Sequence, residues 1–360
     1  MSSSEAMPAK RCNESLTGME YLFAFDEIID ARSPGEFAED HVPGAINLPV
    51  LDNEERTRIG TLHKQVSAFE AKKTGAALVS RNIARHLETV LQEKPRSYRP
   101  LVYCWRGGSR SGAFTTVLRA IGWHAAQLEG GYKAFRRHVI TQLETLPEQF
   151  DFRVICGPTG VGKSRFLNAL RECGAQVLDL ECLAAHMGSV LGAYPDRPQP
   201  PQKLFETRIW HALRSFDPTK PVFLESESKK IGNLHTPEHL LARMRNATCI
   251  ALNADIPVRV ALLKQEYAHF LADAESLSRQ LDCLLPLQGR ERIDSWKKQA
   301  HSGQWDELVA DLLLHHYDPA YSRSLGKNYG QALSGPSLSL PAPDPETIRL
   351  LAIRFLTDIA

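Results

Sequence analysis

The sequence predicts an α/β protein in two units, each a parallel sheet with flanking helices, the second ending in a largely helical part. Three observations carry that expectation. Short apolar runs alternate with segments whose apolar residues recur at helical spacing, the pattern of strand–helix–strand units. Twice an apolar run leads through a glycine-rich turn into a helical pattern, at Gly107-Gly108 and between Gly157 and Gly162. The 360 residues also exceed one ordinary domain, which makes two the natural division.

In the first unit, Phe23 to Ala31 ends in the strand-like Ile28-Ile29-Asp30-Ala31, and Ala45 to Val50 is a second short run interrupted by Pro49. Arg81 to Gln92 places Ile83, Ala84, Leu87, Val90 and Leu91 at helical spacing. Leu101 to Tyr103 reads as a brief strand, Gly112 to Ile121 as a helix, and His124 to Leu128 closes the set. The second unit opens with a strand at Phe152 to Cys156 and a helix at Lys163 to Cys173. Further strands are expected at Gln176 to Leu180, Pro221 to Glu225 and Thr248 to Leu252. The proline-rich Tyr194 to Gln202 must be a loop or extended lid, because proline removes amide donors and clashes within a helix. After Pro257 the chain reads as helical to Tyr317, Pro336 to Pro345 as a loop, and Thr347 to Ile359 as an amphipathic helix. The expected division is a disordered tail over 1–14, a first domain over 15–138 and a linker over 139–150. A second domain with its helical extension follows over 151–335, then a C-terminal loop and helix over 336–360.

Composition narrows the function classes. Hydrophobic residues make up 43% and charged residues 24%, the balance of an ordinary globular protein. No apolar run approaches the roughly 20 residues that cross a bilayer, and Met1 to Asn13 lacks the apolar segment of a secretory leader. A formal charge of +1 confines any nucleic-acid site to a local patch. The seven cysteines (Cys12, Cys104, Cys156, Cys173, Cys182, Cys249 and Cys283) are scattered, without a C-x-x-C pair. Neither a disulfide framework nor a zinc site is expected; most read as small buried hydrophobes in a reducing cytoplasm.

One cysteine stands apart. Tyr103-Cys104-Trp105-Arg106-Gly107-Gly108-Ser109-Arg110-Ser111 lies between a strand and a helix. There, Trp105, Gly107, Gly108 and Ser109 can curl into an anion-binding loop whose amides converge at the helix N-terminus. A thiolate at its mouth is stabilised by those amides and by Arg106 and Arg110, which makes Cys104 a candidate nucleophile with two anion ligands. An ordinary buried cysteine before a Gly-Gly turn is the alternative, but the C-x5-R spacing favours chemistry.

These residues resemble the rhodanese superfamily. Asp30 to Phe37 and His41 to Pro49 are similar to its two N-terminal signatures, and Leu128-Glu129-Gly130-Gly131-Tyr132 to its closing segment. Cys104 falls where that family's persulfide-forming cysteine would stand. Within the resemblance Asp30 and His41 hold turns. The longer C-x5-R loop resembles the rhodanese-related phosphatases, so the expected substrate is a thiophosphate, a selenophosphate or a phosphoester.

Gly157-Pro158-Thr159-Gly160-Val161-Gly162-Lys163-Ser164 fits the P-loop pattern in full, after a strand and before a helix. Its amides would cradle a diphosphate, with Gly157, Thr159, Gly160, Gly162, Lys163, Ser164 and Arg165 as phosphate-binding candidates. Apart from Mg²⁺ that Ser164 could help hold, no metal site made of protein ligands is expected. Candidate acids are Asp179, Glu181, Glu225 and Glu227, at strand ends. Arg259 reads equally as a lid arginine or a surface helix residue.

The pairing of the two motifs resembles tRNA 2-selenouridine synthases. Further similarity lies at Glu55-Arg56, Gly60-Thr61, Lys64-Gln65, Asp179-Leu180-Glu181, Glu225 to Gly232 and Tyr317 to Tyr321. Met187 departs from it, standing where that family's His-Arg-Gly-Ser run has arginine. The implied fold is a rhodanese-like parallel sheet with flanking helices, then a P-loop NTPase-like α/β domain with a helical C-terminal part. The implied activity is a cytoplasmic transferase reaction at the wobble 2-thiouridine of tRNA. Geranyl diphosphate first alkylates the sulfur, and selenium from selenophosphate then displaces the S-geranyl group. No tightly bound cofactor is implied; selenophosphate and geranyl diphosphate are co-substrates, and a selenophosphate-producing enzyme is an expected partner. For the anticodon region of the tRNA, Lys133, Arg136, Arg137, Lys229 and Lys230 are candidates, with Lys297 and Lys298 as a further pair, though such clusters are often solvated helix faces. Two rivals use the same motifs: a P-loop-coupled sulfurtransferase or rhodanese-type phosphatase, and a nucleotide-gated binding protein with an inactive rhodanese module. Cys104 argues against the last.

Overall fold

The structure, a computed structural model, describes residues 16–328 and 335–359, so the expected tail over 1–14 lies outside the described residues. Backbone contacts divide the chain into two compact units between Gln142 and Leu143.

The first unit contains β1 (Leu16–Thr17), β2 (Glu27–Asp30), α1 (Pro34–Glu39), β3 (Ile46–Asn47), α2 (Asn53–Gln65), α3 (Ala68–Thr89), β4 (Pro100–Tyr103), α4 (Ser109–Ile121), β5 (Ala126–Leu128) and α5 (Gly131–Thr145). Its sheet runs β1-β5-β4-β2-β3 with every neighbouring pair parallel. Ile29, Leu101 and Val102 are fully buried, as short parallel strands covered by helices require. Because β4 is central, the residue after Tyr103 emerges at the carboxyl edge of the sheet, where α/β folds place ligands. Cys104 is that residue. The residues expected to join the two units, 139–150, are largely helical: α5 runs on to Thr145 and a 3-10 turn covers Leu146–Gln149.

The second unit begins with β6 (Phe152–Cys156), α6 (Lys163–Glu172), β7 (Gln176–Leu178), α7 (Leu180–Ala184), α8 (Gln202–Arg214), β8 (Val222–Glu225), a small hairpin of β9 (Lys230–Ile231) and β10 (Leu234–His235), α9 (Glu238–Arg245) and β11 (Thr248–Asn253). A helical run follows: α10 (Ile256–Glu266), α11 (Ala268–Ala272), α12 (Ala274–Leu281), α13 (Leu285–Gln288), α14 (Arg290–His301), α15 (Trp305–Leu312) and α16 (Asp318–Asn328). β12 (Ser337–Ser339) and α17 (Pro345–Asp358) end the unit. The parallel sheet is ordered β12-β11-β6-β8-β7. β6 is its centre, and β8 beside it aligns Ile155 with Glu225, so an acid ends the strand next to the P-loop.

Two expectations are corrected. Part of the stretch read as a loop over Pro336 to Pro345 forms β12, which pairs with β11 from Ala251 to Asn253. Three residues beside prolines carry no periodic signal, and only the open edge of β11 makes them a strand. Cys156 and Cys249, read as separate thiols, are joined in a disulfide with Cα atoms 5.9 Å apart. Cys249 stands opposite Val154, two residues from Cys156, so both side chains leave the same sheet face. Among the described residues, no helix is long and apolar enough to cross a membrane.

Candidate functional site

In the first unit the loop from Cys104 to Gly108 is clamped by the turn that opens α5. Tyr132 N–H donates to the Cys104 carbonyl at 2.8 Å, and Lys133 N–H to the Trp105 carbonyl at 3.0 Å. The clamp demands glycine at 131, where φ is +55° and a Cβ would collide with the Cys104 carbonyl and the Gly107 amide. Beneath it, Arg32 forms a buried bidentate pair with Asp30, and its guanidinium lies 3.9 Å from the centre of the Tyr132 ring. His41 bonds the Phe37 carbonyl through Nδ1 and stacks on the Phe37 ring. Asp30 and His41 thus hold turns.

Cys104 is 3% exposed. Ser111 Oγ donates to its sulfur at 3.1 Å, from the first turn of α4. Gln127 Nε2 in turn donates to Ser111 Oγ at 3.0 Å and to the Gly107 carbonyl. Neither Ser111 nor Gln127 stood out in the sequence, since one is a helix residue and the other a strand residue. Trp105 is 38% exposed with its ring against Tyr132, and Arg106, Gly108 and Ser109 are exposed beside it.

Arg110 points elsewhere than its spacing suggests. Its Nη1 lies 2.8 Å from Glu36 Oε2, and Arg56 Nε reaches the same oxygen at 2.8 Å. Burial alone would raise the Glu36 carboxyl, but the hydrogen bonds and charges of Arg110 and Arg56 outweigh it and hold it down to about 2. Arg110 therefore forms a charged cluster with Glu36 and Arg56.

In the second unit the P-loop lines a cavity of about 590 Å³, together with Glu181, the Met187–Val190 turn, Glu225–Ser228, Glu266, Tyr267, Tyr317 and Tyr321. Lys163 Nζ donates to the Gly157 carbonyl at 3.0 Å, and Ser164 Oγ to Glu181 Oε2 at 3.0 Å. Arg165 engages Glu266 at 3.2 Å and Gln265 at 2.7 Å. Arg259 is neither a lid residue nor a surface residue. It is 4% exposed and spans from the Thr159 carbonyl to Asp318.

Three of the four candidate acids converge. Glu181, Glu225 and Glu227 each offer an oxygen within 4.8 Å of the others. Asp179 instead caps α7, accepting from the Cys182 amide at 2.8 Å, and pairs with Arg171. Burial and the neighbouring carboxylates push Glu181 up to about 8 and Glu227 to about 7, against the opposing charge of Lys163. Glu225 rises well above the usual range through burial and the charge of Glu181, with the charge of Lys163 opposing.

The cluster fits a divalent cation. Glu225 is 1% exposed, and neither of its carboxylate oxygens has a hydrogen-bond partner. A buried carboxylate without donors is costly, and a hard cation with oxygen ligands satisfies it. The Ser164 hydroxyl stands where P-loop proteins place a Mg²⁺ ligand. Gly188 closes this side at φ +64°, because a Cβ there would strike the carboxylates of Glu181 and Glu227. Its role is invisible in sequence, since nothing local links it to Glu227.

The basic candidates are dispersed. Lys133, Arg137, Lys229, Lys230 and Lys298 are exposed, whereas Arg136 lies 3.9 Å from Asp40 with its side chain 14% exposed. Lys297 pairs with Asp282 at 2.6 Å.

Comparison with known proteins covers both units. Residues 19–138 match the rhodanese-like domain, and residues 150–283 match the tRNA 2-selenouridine synthase AAA domain. A tRNA 2-selenouridine synthase of Bdellovibrio bacteriovorus is 34% identical over 346 residues, covering 84% of this chain and 89% of that protein. The protein of that name from Marinobacter nauticus is 32% identical, covering 85% and 90%. The one from Nitrosomonas europaea is 35% identical over 251 residues, and this chain spans 65% of its length.

Proposed function

The chain belongs to the tRNA 2-selenouridine synthase family, a family of transferases, and from that membership we propose that it converts 2-thiouridine at the tRNA wobble position to 2-selenouridine in two steps. In the first, the thiocarbonyl sulfur attacks C1 of geranyl diphosphate. The C1–O bond breaks, diphosphate leaves and the base loses its N3 proton. In the second, the selenium of selenophosphate adds at C2, the C2–S bond breaks and geranylthiol departs with a proton from solvent. Water then cleaves the P–Se bond, releasing phosphate, and the selenium left on C2 forms the selenocarbonyl as N3 regains its proton. The order is chemically reasoned: sulfur leaves C2 readily only once alkylated. Neither step changes the oxidation state of carbon.

The P-loop unit serves the first step. Lys163 and the loop amides hold the diphosphate, and Ser164, Glu181, Glu225 and Glu227 would hold a divalent cation that neutralises the departing charge. The Cys104 unit serves the second, with Cys104 handling selenium and Arg106 at the exposed mouth drawing in the selenophosphate anion. Arg110, an expected second anion ligand, is instead held by Glu36 and leaves Arg106 as the proposed anion contact. The anticodon loop is read with its wobble base splayed from the stack, and Lys133, Arg137, Lys229 and Lys230 are its proposed phosphate contacts.

One observation carries the proposal. Relatives of that name align along 84% and 85% of this chain, a span too long to omit either the Cys104 loop or the P-loop. The test is incubation of the protein with 2-thiouridine tRNA, geranyl diphosphate and selenophosphate, followed by nucleoside mass spectrometry. S-geranyl-2-thiouridine and then 2-selenouridine are expected. Neither product, with hydrolysis of a phosphoester instead, refutes the reading.

A further inference from the structure

The Gly188–Val190 turn, Tyr194 and Ser228 line both the phosphate cavity of the second unit and a second cavity, of about 770 Å³. The two differ in charge. Glu181, Glu225, Glu227 and Glu266 line the first, whereas among the described residues no acid lines the second, and Arg197 and Lys230 do. The Arg197 guanidinium lies 4.6 Å from the centre of the Tyr194 ring, which makes a flat cationic surface. Another wall is firmly tied. Gln199 Nε2 donates to the carbonyls of Ala184 and Ile231, at 3.2 and 3.0 Å, and its Oε1 accepts from the Asn233 amide at 2.7 Å. Gly232 stands there at φ +58°, where a Cβ would strike Gln199 and His186. His186 is 6% exposed, yet its Nδ1 has no hydrogen-bond partner. A buried polar atom left so is costly, and an occupant of the cavity can supply the partner.

We infer that this second cavity seats a nucleotide of the RNA strand adjacent to the one that reacts, with its base on the Tyr194–Arg197 surface and its phosphate between Arg197 and Lys230. The inference rests on the proposed function for the presence of an RNA acceptor, and adds where its strand crosses the P-loop unit and which residues hold it. The reacting sulfur must reach the diphosphate over Lys163, in the first cavity. The phosphodiesters of the same strand cannot follow it, because four glutamates line that space and repel them. They belong on the acid-free side, where two cations attract them. An unstacked base lies well on an aromatic ring or a guanidinium plane, and its polar edge then needs partners. His186 offers one. The Gly188–Val190 turn thus separates the chamber of the reacting base from that of its neighbour.

The test pairs protein and RNA changes on the full chain. The probe is a labelled anticodon stem–loop carrying 2-thiouridine, with each neighbour of that nucleotide replaced in turn by an abasic residue. Binding is read by fluorescence anisotropy and geranylation by mass spectrometry. For wild type, one of the two abasic probes should bind about tenfold more weakly and raise KM with little change in kcat, the worth of one base–aromatic stack. Tyr194→Leu should weaken the intact probe by a similar factor, leave pyrophosphate binding unchanged and lose the sensitivity to the abasic change. Arg197→Gln, at an exposed position, should do the same, and it decides if Tyr194→Leu also loses pyrophosphate. Abasic sensitivity that is as large in the variants as in wild type overturns the cavity assignment and leaves the proposed function standing. Displacement of the probe by uridine monophosphate or ATP more readily than by unlabelled stem–loop assigns the cavity to a free nucleotide and also overturns it. A wild-type protein that binds the probe with this pattern but never geranylates it refutes the proposed function instead. One that does not bind the probe overturns both.

Discussion

Arg259 donates through Nε and Nη2 to the carbonyl oxygen of Thr159, at 2.9 and 2.7 Å, and ties that P-loop residue to α10. The same guanidinium forms a fork with Asp318, at 2.9 and 2.6 Å, where α16 begins. Four hydrogen bonds from one buried side chain thus fix the loop that cradles phosphate against two helices. Lysine cannot reproduce the fork. Arg259→Lys should weaken pyrophosphate binding about tenfold, the loss of ~1.4 kcal/mol of preorganisation. Arg259→Met, which strands Asp318, should also lower the melting temperature by several degrees. Calorimetry with pyrophosphate and a thermal melt on both variants separate the two effects.

The three glutamates predict how stability and cation binding depend on pH. In the folded protein Glu181 and Glu227 are raised to about 8 and about 7, and Glu225 is raised as well, whereas in the unfolded chain they ionise near the usual carboxylate value. Between those limits the folded state holds more protons than the unfolded state, so stability falls as pH rises from about 4.5 to about 8. Cation binding needs the ionised forms and strengthens over the same range. Without cation, Glu225→Gln should flatten this fall and melt higher than wild type at pH 8. In 5 mM Mg²⁺, an order-of-magnitude saturating level, wild type should gain stability that the variant does not. Melting curves at pH 6 and 8, with Mg²⁺ and with EDTA, provide the check.

What the sequence could and could not reveal follows from distance along the chain. The Cys104 loop and the P-loop are contiguous strand–turn–helix segments, so spacing alone located both in the fold. The acids were harder. Four candidates sat at strand ends, and only the adjacency of β7, β8 and β6 sorts Glu181, Glu225 and Glu227 from the helix cap Asp179. Arg259 read equally as a lid arginine or a surface helix residue, because its burial depends on partners 59 and 100 positions away. Arg110 fits an anion-ligand spacing, yet Glu36, 74 positions earlier, holds its guanidinium. The Cys156–Cys249 pairing needed the register of β6 with β11. Each surprise is a long-range contact between locally ordinary residues.

Gly188 offers a test of the acid cluster that changes no ligand. At φ +64° an alanine is strained by roughly 1 kcal/mol or more, and its methyl would press on Glu181 and Glu227. Gly188→Ala should reduce Mg²⁺-dependent pyrophosphate binding at least tenfold and slow geranylation, with selenation of pre-geranylated tRNA unaffected. Loss of both activities in a folded variant would contradict the assignment of the steps to separate sites.

Ser111 and Cys104 supply the matching test for the other unit. The Ser111 hydroxyl donates to the Cys104 sulfur at 3.1 Å and itself accepts from Gln127, an arrangement that stabilises negative charge on sulfur more than a neutral thiol. Hydrogen bonds to charged groups are worth ~1.5 kcal/mol or more, and a loss of that size slows a thiolate reaction about tenfold. Ser111→Ala should therefore slow selenation of S-geranyl tRNA, and alkylation of Cys104 by iodoacetamide at pH 7, by a similar factor. Ser111→Cys, which keeps only a weak donor, should fall between alanine and wild type. Cys104→Ser should abolish selenation while geranylation proceeds at the wild-type rate. Single-turnover assays with pre-geranylated tRNA isolate the second step. If Cys104→Ser stops geranylation to the same degree in a protein that melts normally, Cys104 is not confined to the selenium step.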